Sequence, residues 1–166
     1  MRDTVDFDEF YAASSRRVLG QVYAMTGDMA AAEDAVADAF ALAWQRWATV
    51  RLNDSPQAWV RTVATRKAVS SWRKARNRLL AHRRTHEPAD FAPPGPDHVV
   101  LIAALRQVPE KQRQALVLMY FADLSVADIA LEMRTAEGTV KSWLSRGRQA
   151  LLANLGPTSL VEGEVR

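Results

Sequence analysis

Residues 124–150, with the sequence LSVADIALEMRTAEGTVKSWLSRGRQA, contain two amphipathic stretches separated by a short polar turn. Ser125 and Asp128 match the capping box S-x-x-[DE], in which the two side chains accept hydrogen bonds from each other's backbone amides at a helix start. The pattern predicts a helix over residues 126–133, a turn over residues 134–137 and a second helix after the turn. Two helices joined in this way form a helix-turn-helix.

The second helix of this motif carries polar side chains on its predicted outer face. Val140 and Leu144 recur at helical spacing and mark the inner face. In a DNA-binding helix-turn-helix the second helix lies in the major groove, where polar and cationic side chains reach phosphates and base edges. The six outward residues are Thr139, Lys141, Ser142, Ser145, Arg146 and Arg148. The small residues Ala127, Ala130 and Gly138 predict a close crossing of the two helices. The alternative to a DNA-binding motif is a helix hairpin in an ordinary bundle.

The remainder of the chain is also predicted to be helical. Apolar residues recur at three and four positions throughout, and no stretch alternates as a half-buried strand does. Asp28 and Ser55 are good N-cap residues, while Pro56 and Pro109 suit the first position of a helix. The predicted helices outside the motif cover residues 6–25, 29–49, 56–80, 99–108 and 109–121. We therefore predict an all-α fold.

A proline-rich segment divides the chain. Four of the seven prolines lie within residues 85–97, and this composition is typical of a semi-rigid linker. The sequence therefore predicts two small helical domains, residues 1–82 and 99–156, joined by a Pro-rich linker over residues 83–98. A disordered tail is expected over residues 157–166.

The net charge of +3 is unevenly distributed along the chain. Residues 1–54 hold five basic and nine acidic side chains, and residues 87–166 hold eight basic and ten acidic ones. Residues 55–86 hold nine basic and no acidic side chains. Such a segment is typical of a surface that binds a polyanion, because each cation that meets a phosphate releases a counterion. The alternative is a solvated basic helix face.

Composition disfavours several classes of site. The chain has no cysteine, so it has no disulfide, thiolate metal ligand or cysteine nucleophile. Its longest apolar run, residues 115–122, is too short to span a membrane, and its first residues lack a signal-peptide core. His82 and His86 have no third ligand nearby, so no metal site is predicted. No P-loop or nucleophile elbow is present either, so we expect that the protein is not an enzyme and needs no cofactor. Because it has neither a membrane span nor a signal-peptide core, we expect it in the cytoplasm.

Several segments, each weak on its own, together match one protein family in order and spacing. Residues 32–40, AEDAVADAF, are similar to its A-E-D-L-V-Q-E-T-F motif, and residues 56–64, PQAWVRTVA, to its P-x-A-W-L-x-x-I-A stretch. The family motifs L-x-x-L-P-x-x-x-R, L-S-x-x-E-I-A and G-T-V-K-S are similar to residues 105–113, 124–130 and 138–142. Over residues 5–155 the chain therefore resembles the extracytoplasmic function (ECF) group of sigma-70-type RNA polymerase sigma factors.

The resemblance implies both an architecture and a role. The architecture would be an all-α chain with a region 2-like bundle of three to four helices and a region 4-like helix-turn-helix domain. The role would be that of an alternative sigma factor, which directs promoter recognition, DNA opening and transcription initiation. Core RNA polymerase, promoter DNA and an anti-sigma factor are the implied partners, and no membrane insertion is implied.

The resemblance also assigns three groups of site residues. The residues implied to dock on core polymerase are Asp34, Asp38, Phe40 and Trp44. The residues implied to bind a −10-type element are Asn53, Trp59, Arg61, Arg66, Lys67, Trp72, Arg73, Lys74 and Arg76. The six outward residues of the second motif helix would read a −35-type element. The alternatives are core packing for Trp59 and Trp72, and ordinary surface acids for Asp34 and Asp38.

Arg134, Ala136 and Trp143 depart from the family pattern within the helix-turn-helix. Arg134 stands where the family mostly has glycine, so a left-handed backbone there would be strained. Ala136 stands where a serine or threonine normally caps the second helix, and Thr135 is expected to take over as the cap. Trp143 stands where the family usually has a basic residue, so the resemblance implies that one phosphate contact of the family is not made by this chain.

Two other functions compete with this interpretation. A stand-alone transcriptional regulator would use the helix-turn-helix as a dimer and would place a ligand-binding or dimerisation domain before the linker. A protein-interaction adaptor would have no affinity for DNA. The acidic amphipathic first segment and the carboxylate-free basic helix after it favour the sigma factor.

Overall fold

Two of the helix starts that the sequence predicts in the first part of the chain are present in the structure, whereas the first helix begins at Arg2, four residues before the predicted start. In a computed structural model, which describes residues 2–78 and 95–156, the Asp28 carboxylate accepts a hydrogen bond from the Ala31 amide at 3.0 Å. The Ser55 hydroxyl accepts one from the Ala58 amide at 3.1 Å. Both side chains therefore cap a helix as predicted.

The described residues form eight helices and no strand, which confirms the all-α fold. The chain divides into two units, Met1–Asp90 and Phe91–Arg166. The first unit contains α1 (Arg2–Thr26), α2 (Met29–Gln45), α3 (Trp47–Val50) and α4 (Pro56–Arg78). The second unit contains α5 (Pro96–Arg106), α6 (Glu110–Tyr120), α7 (Val126–Met133) and α8 (Glu137–Leu155).

Rows of alanine let the helices of the first unit pack closely. Helices α1, α2 and α4 contact one another, and the distance between packed helices depends on the side chains at the contact. The fully buried alanines of the first unit are Ala24, Ala32, Ala39, Ala43, Ala64 and Ala68. Because these small residues hold the basic helix α4 against the core, most of its longer polar side chains lie on the opposite face.

The predicted single helix over residues 29–49 is wrong at its end. The backbone of Arg46 has φ −113° and ψ 20°, which ends α2, and the chain then forms the short helix α3. This break accompanies the packing of Trp47 between two rings of α1, with centroids 5.2 Å from Phe7 and 5.1 Å from Phe10. The aromatic contacts join α3 to the core of the first unit.

Helix starts in the second unit differ slightly from the predicted ones. Helix α5 begins at Pro96 after Gly95, three residues before the predicted start, because proline suits the first turn of a helix. Pro109 is the N-cap of α6 and not its first residue. The remainder of the predicted linker, residues 83–94, and the predicted tail lie outside the described residues.

Arg113, the arginine of the L-x-x-L-P-x-x-x-R motif, has a structural role at the end of α5. Its guanidinium Nη1 donates to three backbone carbonyl groups at the end of α5, those of Leu105 at 3.4 Å, Arg106 at 3.0 Å and Val108 at 3.4 Å. Burial lowers the pKa of the Arg113 guanidinium, and the nearby carboxylate of Glu110 opposes that shift. The side chain therefore closes a helix end, whose carbonyl groups have no partners within the helix.

Gly147 is the glycine at which α8 approaches α6 most tightly. A Cβ atom on Gly147 would lie 3.1 Å from Leu116 Cδ1 and 3.3 Å from Gln112 Cβ. A Cβ atom on Gly138 would meet nothing within 4 Å. The prediction that Gly138 permits a close helix crossing is therefore wrong, because its position in the first turn of α8 faces open space.

Replacing Gly147 with alanine is expected to lower the free energy of unfolding by about 1 kcal/mol. The displaced neighbours cost about 1–3 kcal/mol, and the better helix propensity of alanine offsets part of this. Gly20→Ala in α1, where nothing lies within 4 Å, should instead raise it by about 0.5–1 kcal/mol. Urea unfolding of both variants measures the difference, and an equal gain in stability at the two sites would contradict the close packing.

Neither a membrane span nor a metal cluster is present in residues 2–78 and 95–156. No helix there is long and apolar enough to cross a bilayer. No group of three or more His, Asp or Glu side chains in these ranges is arranged to hold a metal ion. His82 and His86 lie outside the described residues.

Candidate nucleic-acid interface

Helix α8 has one buried face and one polar face. Val140, Leu144 and Gly147 are buried at positions i, i+4 and i+7. Of the six residues predicted to read the −35-type element, four are exposed and two, Thr139 and Ser142, are half-buried. The exposed ones are Lys141, Ser145, Arg146 and Arg148. The structure therefore brings the predicted −35-type residues together on the accessible surface of one helix.

The turn between α7 and α8 is tight and left-handed. Arg134 has φ 53° and ψ 54°, so the strained backbone expected at this non-glycine position is present, at a cost of about 1–2 kcal/mol. The Thr135 amide donates to the Ala130 carbonyl oxygen at 2.9 Å, which closes the end of α7. Ala136 is the N-cap of α8 and provides no side-chain hydrogen bond. The prediction that Thr135 takes over as the cap is therefore wrong.

The capping box at the start of α7 is only half formed. The Ser125 hydroxyl accepts a hydrogen bond from the Asp128 amide at 3.1 Å, as predicted. The Asp128 carboxylate accepts a bond from the same hydroxyl at 2.9 Å and not from the Ser125 amide. The Ser125 hydroxyl thus accepts a bond from the Asp128 amide and donates one to the Asp128 carboxylate. Helix α7 begins at the predicted residue.

The basic helix α4 exposes most of its predicted DNA-binding side chains. Arg66, Lys67, Arg73 and Lys74 are exposed, and Asn53 is exposed in the loop before the helix. The neighbouring Leu52, which the sequence did not single out, is 79% exposed. The side chains of Trp72 and Arg76 lie outside the described ones.

Arg61 and Trp59 occupy the inner side of α4. Arg61 is only 3% exposed, and its Nη1 donates to the Gln21 side-chain oxygen on α1 at 3.2 Å. Trp59 packs half-buried against the core of the first unit. A buried guanidinium held by a neighbouring helix cannot reach a phosphate, so the assignment of Arg61 to DNA is corrected here.

The predicted polymerase-docking residues divide between surface and core. Asp34 and Asp38 are exposed on α2, and Trp44 is 46% exposed although its ring contacts Phe7. Phe40 is only 3% exposed and packs against the rings of α1. Because its ring is enclosed by its own unit, Phe40 is corrected from a contact residue to a core residue.

One ion pair joins two groups of predicted residues. The Lys67 ammonium on α4 lies 3.5 Å from the Asp38 carboxylate on α2, and both side chains are largely exposed. An exposed pair of this kind contributes about 0–1 kcal/mol, so its members separate readily when either meets a partner.

Sequence profiles of two families match the two units in order. The profile described as Sigma-70 region 2 matches residues 10–78, which include the exposed basic face of α4. The profile described as Sigma-70, region 4 matches residues 98–151, which include the helix-turn-helix. The two regions together in one chain favour a sigma factor over a stand-alone regulator or an adaptor.

Known proteins agree with this result. The ECF RNA polymerase sigma factor SigL of Mycobacterium tuberculosis is 35% identical over 145 residues, covering 81% of this chain and 81% of SigL. The RNA polymerase sigma-E factor of Streptomyces coelicolor is 24% identical over 164 residues, covering 93% of this chain and 89% of that factor.

Solved structures share the fold. The sigma factor RpoE of Bartonella quintana, solved in complex with the anti-sigma factor NepR, superposes with a TM-score of 0.72 at 24% identity, over 90% of this chain and 96% of that one. The extracytoplasmic function sigma factor SigJ of M. tuberculosis gives 0.57 at 26% identity, over 94% of this chain and 56% of SigJ. With two matching regions and a relative 35% identical over most of both chains, the protein belongs to the ECF group of sigma-70 family RNA polymerase sigma factors.

Proposed function

We propose that the two units have different functions during transcription initiation. The exposed face of α2 with Asp34, Asp38 and Trp44 docks on core RNA polymerase, and α4 binds the −10-type element. Helix α8 reads the −35-type element. The observation that carries this proposal is the separation of α8 into a buried apolar face and an exposed face of polar and cationic side chains.

Charge supports the role of α4 in holding opened DNA. Helix α4 lies within residues 55–86, which have no carboxylate, and its cations Arg66 and Lys74 are exposed. A cationic groove follows a nucleic-acid backbone, and unpaired bases gain about 1–3 kcal/mol each by stacking on aromatic rings. Binding free energy of this kind opens the duplex without a nucleotide cofactor. The proposed role therefore includes no catalytic step for this chain.

Location and control follow from the same role. A sigma factor works on polymerase at the chromosome, so we place the protein in the cytoplasm. The B. quintana factor of similar fold was solved with an anti-sigma factor. This similarity supports an anti-sigma factor as a regulatory partner of the present chain.

An experiment on open-complex formation tests the proposed role of α4 in holding opened DNA. Arg66→Ala combined with Lys74→Ala should lower permanganate reactivity of unpaired thymines in the −10-type element about tenfold, because two exposed phosphate contacts of about 0.7 kcal/mol each are lost. Binding of the holoenzyme to the closed promoter should be retained. Arg16→Ala with Arg17→Ala, which removes two exposed cations of α1, is the matched control. Equal reactivity of all three proteins would refute the role of α4.

A further inference from the structure

Two side chains from different helices meet beside the exposed face of α8. Tyr120, the last residue of α6, is 57% exposed, and Arg148 of α8 is exposed. The Arg148 Nη1 donates a hydrogen bond to the Tyr120 hydroxyl oxygen at 3.3 Å. Nothing in the local sequence pattern links Tyr120 to a residue 28 positions later, so this pair has no signal in the sequence.

The close approach of α6 and α8 explains why these two side chains meet. Gly147 packs against Leu116, where the absence of a side chain lets the helices come together. Tyr120 lies four residues, or one turn, after Leu116, and Arg148 directly follows Gly147. Backbone packing at the glycine therefore holds the hydroxyl and the guanidinium within reach of each other.

The chemistry of the pair suits an anion with several acceptor oxygens. The tyrosine oxygen accepts the bond from Arg148, so its own O–H proton remains available for donation. A guanidinium has five N–H donors, of which the hydroxyl takes one. Arg148 forms no ion pair within residues 2–78 and 95–156. Two donors, one of them charged, are thus held side by side at the surface.

We propose that Tyr120 and Arg148 together bind one backbone phosphate of the promoter duplex next to the −35-type element. The hydroxyl and the guanidinium each donate to a non-bridging oxygen of the same phosphodiester. Arg148 lies on the same stripe of α8 as Lys141 and Ser145, at intervals of four and three residues. The site therefore lies beside the side chains that face the groove. This proposal rests on the proposed function of α8.

Such a contact fixes the position of α8 on DNA without reading its sequence. Phosphate contacts set register and orientation, whereas base contacts set specificity. Loss of the Tyr120 hydroxyl is therefore expected to weaken binding to every promoter by a similar factor, about three- to tenfold. Loss of the Arg148 charge should also reduce the slope of log affinity against log salt by about 1.

The test uses the holoenzyme and a promoter fragment obtained by mapping the 5′ ends of its transcripts. A set of duplexes, each with one phosphate replaced by a neutral methylphosphonate, is titrated with wild type, Tyr120→Phe, Arg148→Gln and the double variant at several KCl concentrations. One methylphosphonate position should weaken the wild type and leave the double variant unaffected. Tyr120→Phe should keep the wild-type salt slope. Tyr11→Phe, which removes a hydroxyl from an exposed tyrosine of the first unit, should bind like the wild type.

Two outcomes would overturn the phosphate site. The first is equal affinity of wild type and Tyr120→Phe. The second is a set of methylphosphonate penalties that is the same in the wild type and the double variant. In either case, continued dependence of binding on Lys141 and Arg146 would leave the proposed function of α8 intact. If binding depended on none of these side chains, both the phosphate site and the proposed function of α8 would be refuted.

Discussion

Replacing Lys141 and Arg146 together with alanine is expected to weaken promoter binding by the holoenzyme at least 30-fold. Both side chains are exposed on α8, opposite its buried face. A contact from such a residue to a base edge or a phosphate contributes about 1–3 kcal/mol, and 2 kcal/mol corresponds to a factor of about 30. Binding is measured by fluorescence anisotropy on a promoter fragment and on an unrelated duplex of the same length.

Arg106→Ala with Lys111→Ala is the matched control for this variant. It removes two exposed cations from the same unit, at the end of α5 and the start of α6. A nonspecific effect of net charge would lower affinity equally in both double variants. Equal affinities in the two would remove Lys141 and Arg146 from the DNA interface.

Reversing Asp34 and Asp38 to lysine is expected to weaken association with core polymerase about 100-fold while leaving the fold intact. Both carboxylates are exposed on α2, so neither supports the core. If these acids face a basic surface of the polymerase, lysines in their place bring like charges together at the interface, which costs several kcal/mol. The association is measured by titrating labelled core polymerase with each variant, and circular dichroism checks the helix content.

The ion pair between Asp38 and Lys67 requires a separate variant. A lysine at position 38 removes this pair and adds a second cation beside Lys67 of α4, whereas Asp34→Lys alone leaves the pair unchanged. Asp8→Lys with Glu9→Lys reverses two exposed acids of α1 in the same unit and controls for net charge. Core binding by the Asp34 and Asp38 variants that matches this control would show that the docking face lies elsewhere.

The helix-turn-helix could be predicted nearly to the residue because its signals are local. Ser125 caps α7 at the predicted position, and the helix ends at Met133 as the apolar spacing indicates. The left-handed backbone at Arg134 was expected only through the family resemblance, because relatives mostly have glycine at this position. Caps, turns and spacing act within a few residues, so a single sequence is sufficient to predict them.

The direction in which some side chains face could not be predicted, because it depends on distant partners. Arg61 belongs to a strongly basic segment, yet Gln21 of α1, 40 residues earlier, provides the acceptor that holds it inside. Phe40 and Trp44 lie four residues apart on one face of α2, but the rings of α1 enclose the first and leave the second half-exposed.

The roles of the two glycines in α8 likewise depend on another helix. Sequence spacing near the turn pointed to Gly138, whereas the close contact is made by Gly147 against Leu116 of α6. The Tyr120 hydroxyl and Arg148 meet through the same packing. Neither contact has a local signal, so tertiary structure was needed to find this part of the candidate interface.

Transcription by purified core polymerase, with and without this protein, shows whether the protein acts as a sigma factor. The template is sheared DNA from the source organism, and the 5′ ends of all transcripts are sequenced. We expect new start sites that share two spaced upstream motifs and that disappear with the Lys141→Ala, Arg146→Ala variant. An unchanged set of start sites in the presence of excess folded protein would refute the sigma factor role.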